Sequence, residues 1–242
     1  MDTKLKVDVL AFAAHPDDVE ISAGGTVLKL ISQGKKVGIV DLTRGELGSR
    51  GSGELRLEEA KNSAAILGLH CRENLGMADG FFEDSEENLK AVIRMIRKYQ
   101  PEIVLANSVT DRHSDHGKGA KLVAEAAFLS GLRKIESSEA GVAQVAWRPK
   151  AVYHYIQDYY INPSFVVDVT PFFDKKIQAI QAFSSQFYDP NSSEPATPIS
   201  GEDFFDFLRS RAMEFGRPIR AKYAEGFTVT RYPGVDDLFS LT

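Results

Sequence analysis

The sequence predicts an α/β protein, a Rossmann-like three-layer sandwich with a mostly parallel sheet. Short apolar runs rich in Val, Ile and Leu, which are typical of buried parallel strands, occur at residues 7–14, 36–42 and 103–106. Segments with helical periodicity separate these runs. Strands that alternate with helices in this way imply right-handed crossovers and helices packed against one sheet.

The helical segments of the first half lie at residues 25–33, 54–67, 86–99 and 117–132. Gly34 and Gly68 are stop signals after the first two helices, and Pro101 follows the third. The pattern then loosens, and the polar residues 133–150 are predicted to be a surface excursion.

The second half continues with short elements. Thr170 and Pro171 are typical of a helix start, and we predict a helix over residues 171–184. The remaining predicted elements are strands at 151–156 and 164–169, a helix at 202–215 and a closing segment at 223–230. Residues 189–201 contain three prolines and form a loop, which is either a functional lid or a disordered connector.

Length and charge restrict the class of protein. A chain of 242 residues is expected to form a single domain over 1–242. The net charge of -5, with 29 basic and 34 acidic residues, gives no positive field for nucleic acid. Cys71 is the only cysteine, which excludes an intrachain disulfide and an all-cysteine zinc site.

No membrane interaction is expected, because no stretch approaches the roughly 20 apolar residues that a membrane span needs. The polar residues 1–6 do not resemble a signal peptide, since they lead directly into the first strand. We therefore expect a cytoplasmic protein.

Candidate metal ligands follow two of the predicted strands. His15, Asp17 and Asp18 come directly after the first strand, and His113 and His116 follow residues 103–106. The carboxyl ends of parallel strands line one crevice, so these side chains are expected to meet there. A His-x-x-His pair alone is more often a solvated surface pair, but the second His and Asp motif favours a metal site.

Such a site has a defined chemistry. Two histidines and one carboxylate leave a fourth position of zinc open for water, which is typical of catalytic zinc. Bound zinc lowers the pKa of that water to roughly 7 and polarises a carbonyl, and a spare carboxylate can take the proton. Spacing alone does not say whether Asp17 or Asp18 is the ligand.

Several motifs occur along the chain: Ala14-His15-Pro16-Asp17-Asp18-Val19-Glu20, Gly24-Gly25, Thr43-Arg44-Gly45-Glu46, Leu55-Arg56-Leu57-Glu58-Glu59-Ala60, His113-Ser114-Asp115-His116 and Ala224-Glu225-Gly226-Phe227. Together they resemble the LmbE/PIG-L family of zinc-dependent N-deacetylases, which remove acetyl groups from N-acetylglucosamine conjugates. The chain is most similar to the branch that deacetylates N-acetyl-glucosaminyl-malate in bacillithiol biosynthesis.

The resemblance implies a role for each motif residue. It makes His15, Asp18 and His116 the ligands of one Zn²⁺ per subunit, with another divalent metal such as Fe²⁺ as an alternative. It makes Asp17 the general base. His113, as imidazolium, would stabilise the oxyanion or protonate the leaving amine, and Asp115 would hold the His113 ring in its working tautomer.

Other implied properties concern the substrate and the assembly. Arg56 would bind the conjugate, since a guanidinium can grip malate carboxylates with two parallel hydrogen bonds. The alternative is a surface arginine paired with Glu54 or Glu59. The family also implies a trimer or hexamer of identical subunits.

Alternatives remain for the polar residues near the second motif and for the function. Asn107 and Asp111 either contact sugar hydroxyls or cap backbone amides. The same chemistry on another acetylated sugar, such as a mycothiol precursor, a chitooligosaccharide or an antibiotic intermediate, is the nearest alternative function. A sugar-binding protein without turnover is the alternative from another class.

Overall fold

A seven-stranded sheet organises the molecule. The computed structural model describes residues 5–240. The elements in chain order are β1 (Val9–Ala13), α1 (Asp18–Ser32), β2 (Val37–Thr43), α2 (Gly53–Leu67), β3 (Cys71–Met77), α3 (Glu86–Tyr99), β4 (Ile103–Ala106), α4 (Ser114–Leu129), β5 (Ser138–Glu139), β6 (Val142–Ala143), β7 (Ala151–Tyr155), β8 (Phe165–Asp168), α5 (Phe173–Gln181), α6 (Phe204–Gly216) and β9 (Ala224–Thr228).

The strand order in the sheet is β3-β2-β1-β4-β7-β9-β8. Strands β3, β2, β1, β4 and β7 are parallel to their neighbours in this order, whereas β9 runs antiparallel to both β7 and β8. The strand order reverses between β1 and β4, because the chain first moves outward through β2 and β3. Ligands of open α/β sheets bind at such a point.

Two cores cover the two faces of the sheet, which confirms the predicted α/β fold with a mostly parallel sheet. Leu10 and Phe12 face a core shared with α3 and α4. Val9 and Ala11 face the opposite core, which contains residues of α1 and α5. The alternation along β1 follows from the two-residue period of a strand.

Helix α1 differs from the predicted helix. It begins at Asp18, seven residues before the predicted start, so Gly24 and Gly25 lie inside it. A Cβ at Gly25 would lie 2.7 Å from the Cβ of Val169, closer than atoms can pack. The glycine therefore permits close contact between α1 and the segment after β8, which sequence periodicity could not reveal.

Strand β3 was missed by the sequence analysis. Its sequence, Cys-Arg-Glu-Asn-Leu-Gly-Met, has no apolar run, because β3 lies at the edge of the sheet and is only partly buried. The excursion at 133–150 contains the small hairpin of β5 and β6.

No helix within residues 5–240 has the length and apolar character needed to cross a membrane. Residues 1–4, part of the segment predicted not to be a signal peptide, lie outside the described residues, as do residues 241 and 242 of the predicted domain.

Candidate metal centre and active site

The candidate site lies at the carboxyl ends of the central strands, on both sides of the reversal in strand order. His15 and Asp17 follow β1, Asp79 follows β3, His113 follows β4 and Gln157 follows β7. All of them line one cavity of about 300 Å³. Parallel strands thus bring together residues that are far apart in sequence.

Three imidazole rings cluster in this cavity. The ring centroids of His15 and His113 are 4.5 Å apart, those of His15 and His116 are 5.6 Å apart, and those of His113 and His116 are 5.3 Å apart. One nitrogen from each ring lies within 4.8 Å of the other two. The structure therefore brings together the histidines of the two predicted motifs.

The Asp18 carboxylate lies between two of these rings. Its Oδ1 is 3.1 Å from His116 Nε2, and its Oδ2 is 3.7 Å from His15 Nδ1. Asn107 and Gln157 each donate a hydrogen bond to it. Burial favours the neutral acid, but His116 and His15 outweigh burial and hold the pKa of Asp18 well below its usual range.

Two further carboxylates orient the rings from behind. Asp79 Oδ1 lies 3.0 Å from His15 Nε2, and Asp111 Oδ2 lies 2.5 Å from His116 Nδ1. Each contact leaves the other ring nitrogen directed toward Asp18. A carboxylate behind a histidine is common in metal sites, where it fixes the tautomer and orientation of the ligand.

Asp79 is not among the site residues predicted from the sequence, and Asp111 was expected either to contact sugar hydroxyls or to cap backbone amides. Asp111 accepts hydrogen bonds from the amides of Asp158 and Tyr159 in addition to its contact with His116. Asp79 was missed because β3 was missed, since a carboxylate two residues past a strand end is the same signal as His15 and Asp17.

Asp17 points away from Asp18, as expected for adjacent residues. It has a φ of 116°, which is strained for a residue with a side chain, and its Oδ2 is buried without a hydrogen bond. Arg56 Nη2 lies 3.8 Å from this oxygen. Burial raises the pKa of Asp17 to about 7, although the charge of Arg56 opposes the rise. A carboxyl group with this pKa is suited to general base catalysis near neutral pH.

His113 occupies the N-cap position of α4, and its Nδ1 accepts a hydrogen bond from the Asp115 amide at 3.3 Å. A neutral ring that accepts at Nδ1 carries its proton at Nε2. Burial and the charges of His15 and His116 lower the pKa of His113. His113 is therefore a neutral donor at the edge of the cluster, whereas the family resemblance implied an imidazolium.

The Asp115 side chain has different partners from those predicted. Its Oδ2 accepts a hydrogen bond from the Gly80 amide at 2.7 Å and lies 3.5 Å from His15 Nε2, while Lys118 contacts its Oδ1. Within residues 5–240 its carboxylate makes no hydrogen bond to His113, so the predicted carboxylate support of that ring is wrong. The helix geometry of α4 directs the carboxylate toward His15 and leaves only the Asp115 amide for His113.

Arg56 is buried, and the alternative of a surface arginine paired with Glu54 or Glu59 is wrong. Its Nη2 donates a hydrogen bond to Gln186, and the same nitrogen faces Asp17. A Cβ at Gly45 would lie 2.4 Å from Arg56 Nη1, so this glycine makes room for the guanidinium. Arg56 lines the cavity beside the candidate base.

The donor set fits a divalent cation. Burial lowers the pKa of His15 and of His116, yet the surrounding carboxylates outweigh it, raising the first well above its usual range and the second to about 9. The surroundings thus favour positive charge at the point where the two motifs meet. Imidazole nitrogens with a carboxylate are ligands that Zn²⁺ and Fe²⁺ accept.

A second wall closes the cavity from the other side. It is formed by residues 197–199 of the predicted loop and by Phe204, Phe207 and Arg211 of α6. Arg50 ties the loop to the body through hydrogen bonds to Ser185 O and Ser192 Oγ. Ser192 of the loop is thus bonded to the body, and residues 197–199 of the same loop line the cavity.

Residues 10–127 match the family described as PIG-L, GlcNAc-PI de-N-acetylase. The chain is 31% identical to the diacetylchitobiose deacetylase of Thermococcus kodakarensis, over 94% of this chain and 84% of the relative. Among solved structures, a conserved protein from Thermus thermophilus aligns with a TM-score of 0.84 and 32% identity, over 96% of this chain and 98% of that chain.

A relative with a different activity is also similar. The 4-oxalmesaconate hydratase of Pseudomonas putida is 27% identical, over 77% of this chain and 76% of the relative.

Proposed function

Because the chain belongs to the PIG-L family of de-N-acetylases, we propose that it is a metal-dependent hydrolase of N-acetylated sugar conjugates. The reaction breaks the amide C–N bond of an N-acetylglucosamine unit and gives acetate and the free amine. The observation that carries this proposal is the buried Asp17 Oδ2, which accepts no hydrogen bond and lies in the same cavity as the His and Asp cluster.

His15, Asp18 and His116 would hold the metal, Zn²⁺ or another divalent ion such as Fe²⁺. His113 is the fourth candidate donor, but its Nδ1 already accepts a hydrogen bond and its Nε2 carries the proton. The ion would polarise the amide carbonyl and lower the pKa of water.

The side chains around the metal position supply the proton transfers. Asp17 accepts a proton from the attacking water, whose oxygen forms the new bond to the carbonyl carbon. His113 donates a hydrogen bond from Nε2 to the oxyanion of the tetrahedral intermediate, and Asp17, which then carries the proton of the water, transfers it to the leaving amine as the C–N bond breaks. Asp115 acts as a positioning residue, because its carboxylate faces His15 rather than the substrate.

Arg56 has two tasks in this proposal. Its charge lowers the pKa of Asp17 against the effect of burial, which keeps the base ionised near neutral pH. Because Arg56 lines the cavity beside Asp17, it would also bind the substrate next to the reacting amide.

The finer proposal is that the substrate is N-acetyl-glucosaminyl-malate, in bacillithiol biosynthesis, with the enzyme working in the cytoplasm as a homo-oligomer. The motifs quoted above support this branch. Diacetylchitobiose and N-acetyl-glucosaminyl-inositol are the alternative substrates that the named activities of relatives and the family resemblance suggest.

A hydratase is the second candidate, because the Pseudomonas relative extends over three quarters of this chain. Hydration of a carbon–carbon double bond also needs an activated water, which the same cluster can supply. Both reactions could use Asp17 as the base, so the presence of this base does not distinguish them. Their products do.

The test is acetate release by purified enzyme from N-acetyl-glucosaminyl-malate, N-acetylglucosamine, N-acetyl-glucosaminyl-inositol and diacetylchitobiose in parallel. We expect release from at least one conjugate, with the highest kcat/KM for the malate conjugate. A preference for another sugar would reject the branch and keep the deacetylase. Hydration of 4-oxalmesaconate without acetate release from any sugar would establish the second candidate.

A further inference from the structure

Arg211 differs from the other arginines of the cavity. Arg56, Arg112 and Arg211 all line it. Arg56 bonds Gln186 and faces Asp17, and Arg112 forms an ion pair with Asp158. Arg211 makes no hydrogen bond and no ion pair within residues 5–240, and its Nη1 is shielded from solvent without a partner.

The carboxylates that influence Arg211 are already committed to other groups. Asp111 accepts from His116 and two amides, Asp158 pairs with Arg112, and Glu225 accepts from Lys176 Nζ at 2.6 Å. None of these three carboxylates forms a hydrogen bond or an ion pair with the Arg211 guanidinium. A protein rarely leaves a buried donor unpaired, since an unmet hydrogen bond costs free energy.

The guanidinium is held in place and charged. Its Cζ lies 5.0 Å from the ring centroid of Phe207, one helical turn earlier on α6. Burial lowers the pKa of Arg211 to about 10, although Asp158, Asp111 and Glu225 oppose this, so the side chain is protonated at neutral pH. A fixed, charged and unpaired fork of donors is suited to bind an anionic oxygen group.

We propose that Arg211 binds an anionic group, a carboxylate or a phosphate, on the aglycone of the substrate and thereby determines specificity. This inference rests on the proposed function. The acetamide would lie at the His and Asp cluster, and the charged end of the conjugate would extend to Arg211 on α6, which lines the same cavity. Arg56 then serves every substrate, whereas Arg211 distinguishes charged from neutral ones.

The experiment compares kcat/KM for three substrates: N-acetyl-glucosaminyl-malate, N-acetylglucosamine 1-phosphate and methyl N-acetylglucosaminide. The variants are Arg211→Met, Arg211→Lys and, as the matched control, Arg209→Met. Arg209 lies on the same helix, is exposed and pairs with Asp206 at 3.4 Å. The preferred anionic arm, malate or phosphate, identifies which group Arg211 binds.

We expect Arg211→Met to lower kcat/KM for the preferred anionic substrate about 10- to 100-fold, mainly through KM, and to leave the methyl glycoside within about twofold. Arg211→Lys restores part of the preference, and Arg209→Met changes nothing. Equal losses on anionic and neutral substrates, with the wild type active on both, would overturn the role of Arg211 and leave the deacetylase intact.

A binding measurement separates this inference from the chemistry. Calorimetry with the deacetylated product, glucosaminyl-malate, and with glucosamine 1-phosphate does not depend on turnover. Binding of either anion that is weakened by Arg211→Met supports the site even if no acetate is released in the first assay. Equal binding by wild type and Arg211→Met, or no binding of either anion, contradicts it.

Discussion

The two walls of the cavity are built differently. On the wall of the His and Asp cluster, Asp18 and His116 each contact several protein groups, and Asp79 and Asp111 hold the rings from behind. On the α6 wall, Arg211 has an unpaired nitrogen and Phe207 is 38% exposed. On the first wall the rings are supported without a substrate and Asp17 Oδ2 is left to accept from the attacking water, whereas the second wall leaves a donor for a ligand.

The difference between the two walls corresponds to the different needs of catalysis and of substrate recognition. Catalysis needs groups that are already oriented before the transition state, which explains the dense support behind the cluster. Recognition needs donors whose partner arrives with the ligand. Loss of a residue on the first wall should therefore affect every substrate, and loss of one on the second should affect only some.

The largest effect on the first wall is expected for Asp17→Asn. The amide cannot accept the proton of water, so acetate release should fall about 10²- to 10⁴-fold while bound metal is retained. Elemental analysis and a steady-state assay on the same sample measure both. An unchanged rate would remove Asp17 from the mechanism.

A large effect on the free energy of unfolding is expected for the buried ion pairs that lie beneath that wall. Arg72 pairs with Glu20 and Asp41 beneath the cluster, at 2.6 and 2.8 Å. Arg72→Met leaves two buried carboxylates uncompensated and should lower the free energy of unfolding by about 3–5 kcal/mol.

Urea unfolding provides the measurement, with Lys61→Met as the control. Lys61 pairs with Glu58 on the surface, and its loss should change the free energy of unfolding by less than about 1 kcal/mol. Similar losses of unfolding free energy in both variants would show that the buried ion pairs stabilise the protein no more than a surface pair does.

Asp79→Asn tests the support of the rings. The amide holds His15 less firmly, so metal affinity should fall about 10- to 100-fold, and added metal should recover activity. A chelator competition titration measures the affinity, and Asp206→Asn on α6 is the control. Wild-type affinity in Asp79→Asn would limit the role of Asp79 to accepting the hydrogen bond of the Leu47 amide.

The smallest effect is expected for Ser114→Pro. Ser114 is exposed and opens α4, a position that tolerates proline. Acetate release should stay within about twofold of wild type. A large loss would show that the hydroxyl or amide of Ser114 contributes to the site.

The parallel strands and both His and Asp motifs could be predicted because each lies in an unbroken local pattern. Asp79 could not be found, since its strand β3 is polar and lies at an edge. The partner of Asp115 was predicted incorrectly because spacing does not fix where a side chain at a helix start points. Arg211 has no local signal, as its unpaired state depends on contacts across the whole chain.

The central claim is that the His and Asp cluster holds a divalent ion needed for hydrolysis of an N-acetyl group. Metal content and acetate release from N-acetyl-glucosaminyl-malate, measured on one purified sample before and after chelation, test it most directly. The account predicts one ion per chain, loss of release on chelation and recovery with Zn²⁺ or Fe²⁺. Release that continues after complete metal removal would contradict it.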